Sequence, residues 1–206
     1  MMNKSVHRYF ALNKPRNMVS QFISSHQVGL LGDLDFTFPP GTHALGRLDN
    51  DSEGLLLLTT NKKVTRLLFL DTQPHQRTYL VMVHNVVQPE TLAKLQTGVP
   101  IKIKNGDWYN AQPQSAEIIA NPKAICPQAA DPREAYPHTW LLITLTEGKY
   151  HQIRKMVLAL RHRCLRLIRL SIENITLHGI APGEVKEIRE ADFFERLHIV
   201  YEKGQV

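Results

Sequence analysis

Apolar positions along the chain change period several times, and each change marks an element. Residues 8–13, RYFALN, form a short aromatic and aliphatic run closed by Lys14-Pro15, which reads as a strand. Leu55 to Thr60 holds four consecutive leucines and has the length of a buried strand. Asn61 can then cap a helix running to about Leu70, with Val64, Leu67 and Leu68 on one face. TYLVMVH, Thr78 to His84, is rich in aromatic and β-branched residues and predicts a strand. Pro89 and Gly98 bracket a helix carrying Leu92 and Leu95. Leu141 to Thr146 alternates as a strand. Ile153, Met156, Val157 and Leu160 then recur at i, i+3, i+4 and i+7, the pattern of an amphipathic helix. On that wheel Arg154 falls at the edge of the buried arc, and Lys155 faces solvent or a ligand. Residues 173–177 and 184–188 read as two strands around Gly179 and Pro182-Gly183, and the acidic stretch from Glu184 to Glu195 closes in a final helix.

Two stretches lack periodicity. Residues 22–45 are loop-rich, with a firm turn at Pro39-Pro40-Gly41. Residues 105–138 hold five of the 12 prolines and read as a surface excursion between two core strands. Such a segment either shapes a ligand site or is a tolerated insertion.

Composition narrows the class. A chain of 206 residues can bury a full core as one domain or two small lobes. With 43% apolar and 21% charged residues it is ordinary for a soluble globular protein. Cys126 and Cys164 make neither a disulfide framework nor a CxxC pair, which suits a reducing cytosol. The N-terminus has no apolar core or small-residue cleavage site, and no apolar run approaches the roughly 20 residues that cross a bilayer. The expectation is a cytoplasmic protein with no membrane partner.

Charge is more telling than composition. Seven of the 25 Lys and Arg lie between Lys149 and Arg169, with no Asp or Glu among them; elsewhere 18 basic residues face 19 acidic ones. The whole positive excess sits in this one stretch, as expected for a surface that attracts a polyanion such as nucleic acid. The plainer alternative is a solvated cationic helix face.

The candidate chemistry centres on GRLDNDSEGLLLLTTN, Gly46 to Asn61, where Arg47 and Asp49 flank one leucine just upstream of the leucine strand. A buried strand would hold both in place. DNDSEG resembles the start of a calcium loop, but the twelfth position, where that loop needs a glutamate, is Thr60. HExxH, GxSxG, GxGxxG and GxxxxGK[ST] are all missing, as are the signatures of zinc deaminases. Asp49 and Glu53 could pose as a glycosidase pair, but two acids at that spacing are common by chance. An aspartate, arginines, a tyrosine and a basic face suit chemistry on a base within RNA. Such an enzyme takes the base out of its stack, fills the gap, holds the ring and binds the backbone.

The ordered motifs LNKP (Leu12 to Pro15), GRLD followed by DSEGLL, RTYLVMV, EGKYHQIRKM, LRLIRL and IAPGEVKEI resemble the RsuA-type pseudouridine synthases of bacterial ribosomal RNA. The resemblance runs from Leu12 to about Ile188. TWLLITLTEG and LRLIRL look most like the compact large-subunit subgroup, type E, and the near-immediate start at the NKP strand implies a single catalytic domain, with its core at about 5–190, and no preceding RNA-binding module. The implied fold is α+β: a mixed, mostly antiparallel bent sheet with flanking helices, in two lobes around a cleft. The implied activity is isomerisation of one uridine in ribosomal RNA, 23S by subgroup, without metal, nucleotide or redox cofactor. A monomer is expected.

The resemblance also assigns roles. It makes Asp49 the residue acting on the ribosyl–uracil bond, by attack on the sugar, attack on the ring, or proton abstraction; by itself Asp49 reads equally as a turn cap. It makes Arg47 the wedge that replaces the flipped base, against a surface ion pair with Glu53. Tyr79 stacks on uracil, against a place at the end of a core row with Val81 and Val83. Arg154 pairs with the catalytic aspartate and keeps it ionised. Ile153 packs beneath the site, Lys149 opens the motif, and Gln152 and Lys155 complete the substrate-binding set. Relatives commonly carry glycine where this chain has Arg161, so Arg161 argues against a left-handed helix end there. Arg161 and Arg163 are expected on RNA phosphates. The rival reading is a non-catalytic RNA-binding or ribosome-assembly protein on the same scaffold.

Overall fold

The computed structural model describes residues 7–69 and 74–200. In chain order the strands and helices are β1 (Tyr9–Lys14), β2 (His43–Ala44), β3 (Glu53–Thr59), α1 (Lys63–Phe69), β4 (Arg77–His84), α2 (Pro89–Thr97), β5 (Val99–Lys102), β6 (Trp108–Ala111), β7 (Ser115–Ile118), α3 (Pro122–Ile125), β8 (His138–Leu145), α4 (Gln152–Ala159), β9 (Cys164–Ile172), β10 (Ile175–Thr176), β11 (Val185–Ile188) and α5 (Glu190–Arg196). Short 3-10 turns lie at Leu31–Asp33 and Pro132–Ala135. The expected helix end near Leu70 lies outside the described residues. The chain divides into two compact units: Met1–His75 with Ser171–Val206, and Gln76–Leu170.

In the first unit β1 is paired antiparallel with β11 on one side and β3 on the other, and β2 pairs with β3. Every residue of β1 and β3 is buried. Neighbouring side chains of a strand point to opposite faces, so a fully buried strand must be covered twice. Tyr9 packs on Phe193 and Phe194 of α5 at ring distances of 4.7 and 5.4 Å. Phe10, its neighbour, meets Phe36 and Phe38 from the loop-rich segment at 5.7 and 5.8 Å. That double cover is why the four leucines Leu55 to Leu58 form an unbroken apolar run and do not alternate with polar residues. Asn61 Oδ1 accepts from the Lys63 N–H at 3.1 Å, the expected cap of α1, and Val64 and Leu68 are buried.

In the second unit the strand order is β9-β4-β8-β7. β4 runs antiparallel to β8 from Arg77↔Leu145 to His84↔His138, and β7 runs antiparallel along the other edge of β8. Val81 and Val83 of β4, Leu141 and Ile143 of β8, Leu95 of α2, and Ile153, Met156 and Val157 of α4 form one buried cluster. The helical spacing read from the sequence therefore marks the buried face of α4. α2 begins with Pro89 and stops at Gly98, whose φ of 107° closes the helix. An added Cβ at Gly98 would lie 2.7 Å from the end of the Asn110 side chain, which would have to move, and the φ of 107° strains any other residue there.

The segment 105–138 departs from its expected form. It contributes β6, which closes a separate hairpin with β5, and β7, the edge strand on β8. The apolar signal of β7 is short, SAEI with one buried residue, because an edge strand buries only one face.

The part of this segment before β8 is tied to β9 by charge. Asp131 caps the 3-10 turn by accepting from the Arg133 N–H at 2.9 Å and also binds the Arg133 guanidinium. Arg133 Nη1 donates to the Leu165 carbonyl at 2.9 Å, and Arg166 Nη1 to the Ala130 carbonyl at 2.8 Å. The Arg133 hydrogen bonds, with a smaller pull from Arg166, lower the Asp131 carboxyl from 3.8 to about 2. A depressed carboxyl stabilises the fold fully above its unfolded value and loses that contribution as pH falls through the folded one. After solvent screening, Asp131→Asn is therefore expected to lower the unfolding free energy by about 1 kcal/mol at neutral pH. Urea unfolding at a series of pH values should show the gap to wild type closing as pH falls from 3.8 towards about 2.

Candidate active site

In the first unit the segment Arg47-Leu48-Asp49 is clamped through its middle residue. The Leu45 N–H donates to the Leu57 carbonyl at 2.8 Å, continuing the pairing of β2 along β3. Leu48 is buried, and its backbone is held at both ends by one side chain. Ser20 Oγ accepts from the Leu48 N–H at 2.9 Å and donates to the Leu48 carbonyl at 3.0 Å. The Asn17 N–H adds a bond to the Asn50 carbonyl at 2.8 Å. The Ser20 loop is itself pinned by Lys14, which is fully buried and donates to the Pro15 and Met18 carbonyls at 2.9 and 2.6 Å. Asp49 opens a turn closed by the Ser52 N–H to its carbonyl at 3.0 Å. With Leu48 turned inward, Arg47 is exposed and Asp49 half-buried.

In the second unit Tyr79 on β4 is half-buried and packs against the cluster containing Val81 and Val83, at the end of the expected row. Ile153 is buried in the same cluster, and Arg154 is half-buried beside it on α4. The loop into α4 is organised by Glu147, a residue the sequence reading quoted but did not single out. Glu147 accepts from the Tyr109 hydroxyl at 2.6 Å and from Gln152 Nε2 at 2.7 Å, and its carboxylate lies 3.9 Å from Lys149 Nζ. The bond to Glu147 pushes the Tyr109 phenol above its ordinary value. Gln152 Oε1 accepts from the Lys149 N–H at 2.8 Å, so both ends of this buried amide hold the loop. Lys149 Nζ sits 4.9 Å above the Tyr109 ring. Lys155 does not simply project into solvent: its Nζ donates to the Lys102 carbonyl at 2.6 Å and lies 5.2 Å above the Tyr150 ring.

The basic stretch divides in two. Arg166 and Arg169 are buried, whereas Arg161 and Arg163 are exposed. Arg161 also corrects an expectation. Its φ is 65°, in the left-handed region. The His162 N–H bonds the Val157 carbonyl and the Arg161 N–H the Leu158 carbonyl, each at 2.9 Å. Those two bonds are the Schellman end of α4, formed without glycine. Among the described residues no cluster of three or more His, Cys, Asp or Glu side chains is placed to hold a metal ion, and no helix is long and apolar enough to cross a membrane.

The profile described as RNA pseudouridylate synthase matches residues 8–159. The protein named uncharacterized RNA pseudouridine synthase YtzG, from Bacillus subtilis (strain 168), is 33% identical over 198 residues, covering 94% of this chain and 73% of that one. The ribosomal large subunit pseudouridine synthase E of Xanthomonas axonopodis pv. citri is 34% identical over 175 residues, 83% of this chain and 88% of its own. A crystal structure of a pseudouridylate synthase superposes with a TM-score of 0.72 at 25% identity, over 93% of this chain and 74% of that one. The chain belongs to the RNA pseudouridylate synthase family, isomerases that convert uridine to pseudouridine. Its fold is α+β with a mixed, mostly antiparallel sheet. Nothing in these likenesses favours a non-catalytic role.

Two substitutions test the local geometry. Ser20→Ala leaves the buried Leu48 N–H without its acceptor and is expected to cost about 1–3 kcal/mol in urea unfolding. Arg161→Gly relieves about 1 kcal/mol of left-handed strain, offset in part by the greater freedom of glycine in the unfolded chain. A small rise in melting temperature is expected; a fall would contradict the strain argument.

Proposed function

We propose that this enzyme isomerises a specific uridine of ribosomal RNA, and that the RNA is the large-subunit 23S species. Asp49 is the catalytic carboxylate. Arg47 enters the stack in place of the flipped base, Tyr79 stacks on the uracil ring, and Arg154 acts as the second arginine of the catalytic set. During the reaction the bond from the sugar to the ring nitrogen breaks, the uracil turns, and a carbon–carbon bond to the same sugar forms. Ile153 supports the site from below. Gln152 holds Lys149 for the RNA, and Lys155, Arg161 and Arg163 meet the backbone phosphates. The enzyme works as a monomer in the cytoplasm.

The observation that carries this reading is the clamp on Leu48. Neighbours of an inward-turned residue in an extended segment point the other way. With Leu48 buried and both its backbone groups bonded by Ser20, the backbone that carries Arg47 and Asp49 is held in place. Base-flipping chemistry needs a fixed frame, because the wedge and the reactive group must meet one nucleotide together. The large-subunit assignment rests on the likeness to the Xanthomonas large-subunit synthase E and on the type E likeness of TWLLITLTEG.

In a strain lacking this chain, mapping of pseudouridine along the ribosomal RNA is expected to show one missing site in 23S. Wild type should restore it. Asp49→Asn, which keeps the size and one acceptor oxygen but removes the charge, should bind the RNA and leave the site unmodified. Restoration of the site by Asp49→Asn would overturn the assigned role, and a missing site in small-subunit RNA would overturn the choice of substrate.

A further inference from the structure

The hairpin of β5 and β6 carries an aromatic and cationic surface that the catalytic reading does not use. Trp108 is 69% exposed at the start of β6, with Lys102 Nζ 5.4 Å from the centre of its ring. Lys104 is exposed in the loop between the strands, where Gly106 (φ 92°) and the Ile103 N–H to Asp107 carbonyl bond of 3.0 Å close the turn. Lys155 joins the hairpin to α4 through the Lys102 carbonyl, and its ammonium lies over Tyr150. Tyr150 is 60% exposed and stacked on His151 at 3.9 Å with an angle of 18°. Two exposed rings, Trp108 and Tyr150, are thus linked through two lysines within one unit.

A single exposed aromatic is commonplace. Here each ring also carries an ammonium on one side. That combination suits a partner with flat rings and regularly spaced negative charges. Single-stranded nucleic acid is such a partner, since each base offers a π-face and each linkage a phosphate. We propose that Trp108 stacks an unpaired nucleotide of the substrate strand on its open face, while Lys102 and Lys104 hold the adjoining phosphates. This rests on the reading that the substrate is RNA and deepens it, because it adds recognition of the unpaired strand to the site that acts on one base.

The indole offers its own probe. Trp108 is exposed and Trp140, the other tryptophan, is 3% exposed, so only Trp108 can report a stacking base. The full chain is titrated with a single-stranded oligouridine of about 12 nucleotides, a length that one such surface covers, and with an unmodified 23S transcript. Wild-type fluorescence is expected to quench on binding. Trp108→Phe should keep most of the affinity and lose the quench. Trp108→Ala should weaken binding about tenfold, and Lys102→Ala should lower the salt slope of the affinity by about one. Wild-type affinity and salt slope in Trp108→Ala and Lys102→Ala would overturn the proposal and leave the hairpin to a protein partner. Pseudouridine formation on the transcript is measured alongside. Conversion by the wild type with no loss of affinity in the variants sinks the stacking surface alone. Loss of affinity in the variants with no conversion by the wild type sinks the catalytic reading and keeps the surface.

Discussion

The first unit depends on β1 and β3 being covered on both faces. A strand buried this way cannot slip by one residue, because a slip exchanges which side chains meet which cover. Tyr9 must face α5, where its hydroxyl donates to Glu190 at 2.9 Å, and Phe10 must face Phe36 and Phe38. The register Leu12↔Leu56 and Asn13↔Leu55 follows from that constraint. Once β3 is placed, Leu45 is placed through its bond to Leu57. Leu48 and the two charged residues beside it then lie at a defined point on the chain. The candidate chemistry is thus anchored by hydrophobic cover two and three elements away.

Polar groups complete what apolar burial begins. Lys14 is fully buried, yet its ammonium has carbonyl partners at Pro15 and Met18. A buried ammonium without such partners would be far costlier than the bonds it makes here. Its position ties the end of β1 to the Ser20 loop, and Ser20 ties that loop to Leu48. A chain of short polar contacts therefore runs from the core strand to the backbone between Arg47 and Asp49. The second unit uses the same device at Glu147, whose two carboxylate oxygens hold Tyr109 and Gln152 and so shape the entry to α4.

Features that repeat locally were legible in the sequence. The strands β1, β3, β4 and β8, the helices α2 and α4, and the buried row Ile153, Met156 and Val157 all follow from period and flanking residues. The clamp by Ser20 was not legible, because its partner is 28 residues away and serine carries no pattern that names a partner. β7 was missed because an edge strand of four residues with one buried position gives almost no alternation. Trp108 escaped notice because it lies inside a proline-bearing stretch that reads as loop, and its cation partner is on the other strand of the hairpin. The left-handed residue at the end of α4 was read the wrong way for a physical reason. Glycine is favoured there, but a cost of about 1 kcal/mol is small beside the burial of Met156 and Val157 that sets where the helix stops.

The basic stretch shows how composition and structure divide the same charges. As a count, seven cations in 21 residues suggest one uniform anion-binding face. In the fold, Arg166 bonds the Ala130 carbonyl beside the Asp131–Arg133 pair, and it supports Asp131 as an ionised group. Such a cation is committed to the protein and adds little to the attraction of a polyanion at close range. Lys149 and Lys155 hold intermediate positions, each over an aromatic ring and each within reach of a protein oxygen. Arg161 and Arg163 are exposed at the helix end, and Lys149 is exposed at the opposite end of the stretch. Long-range attraction depends on the whole excess charge, whereas specific phosphate contacts depend on reach. The stretch therefore performs two kinds of work, and the chain pays for the exposed end with a strained residue at Arg161. The left-handed turn at Arg161 thus places its side chain at the surface end of α4, where glycine would have left no cation.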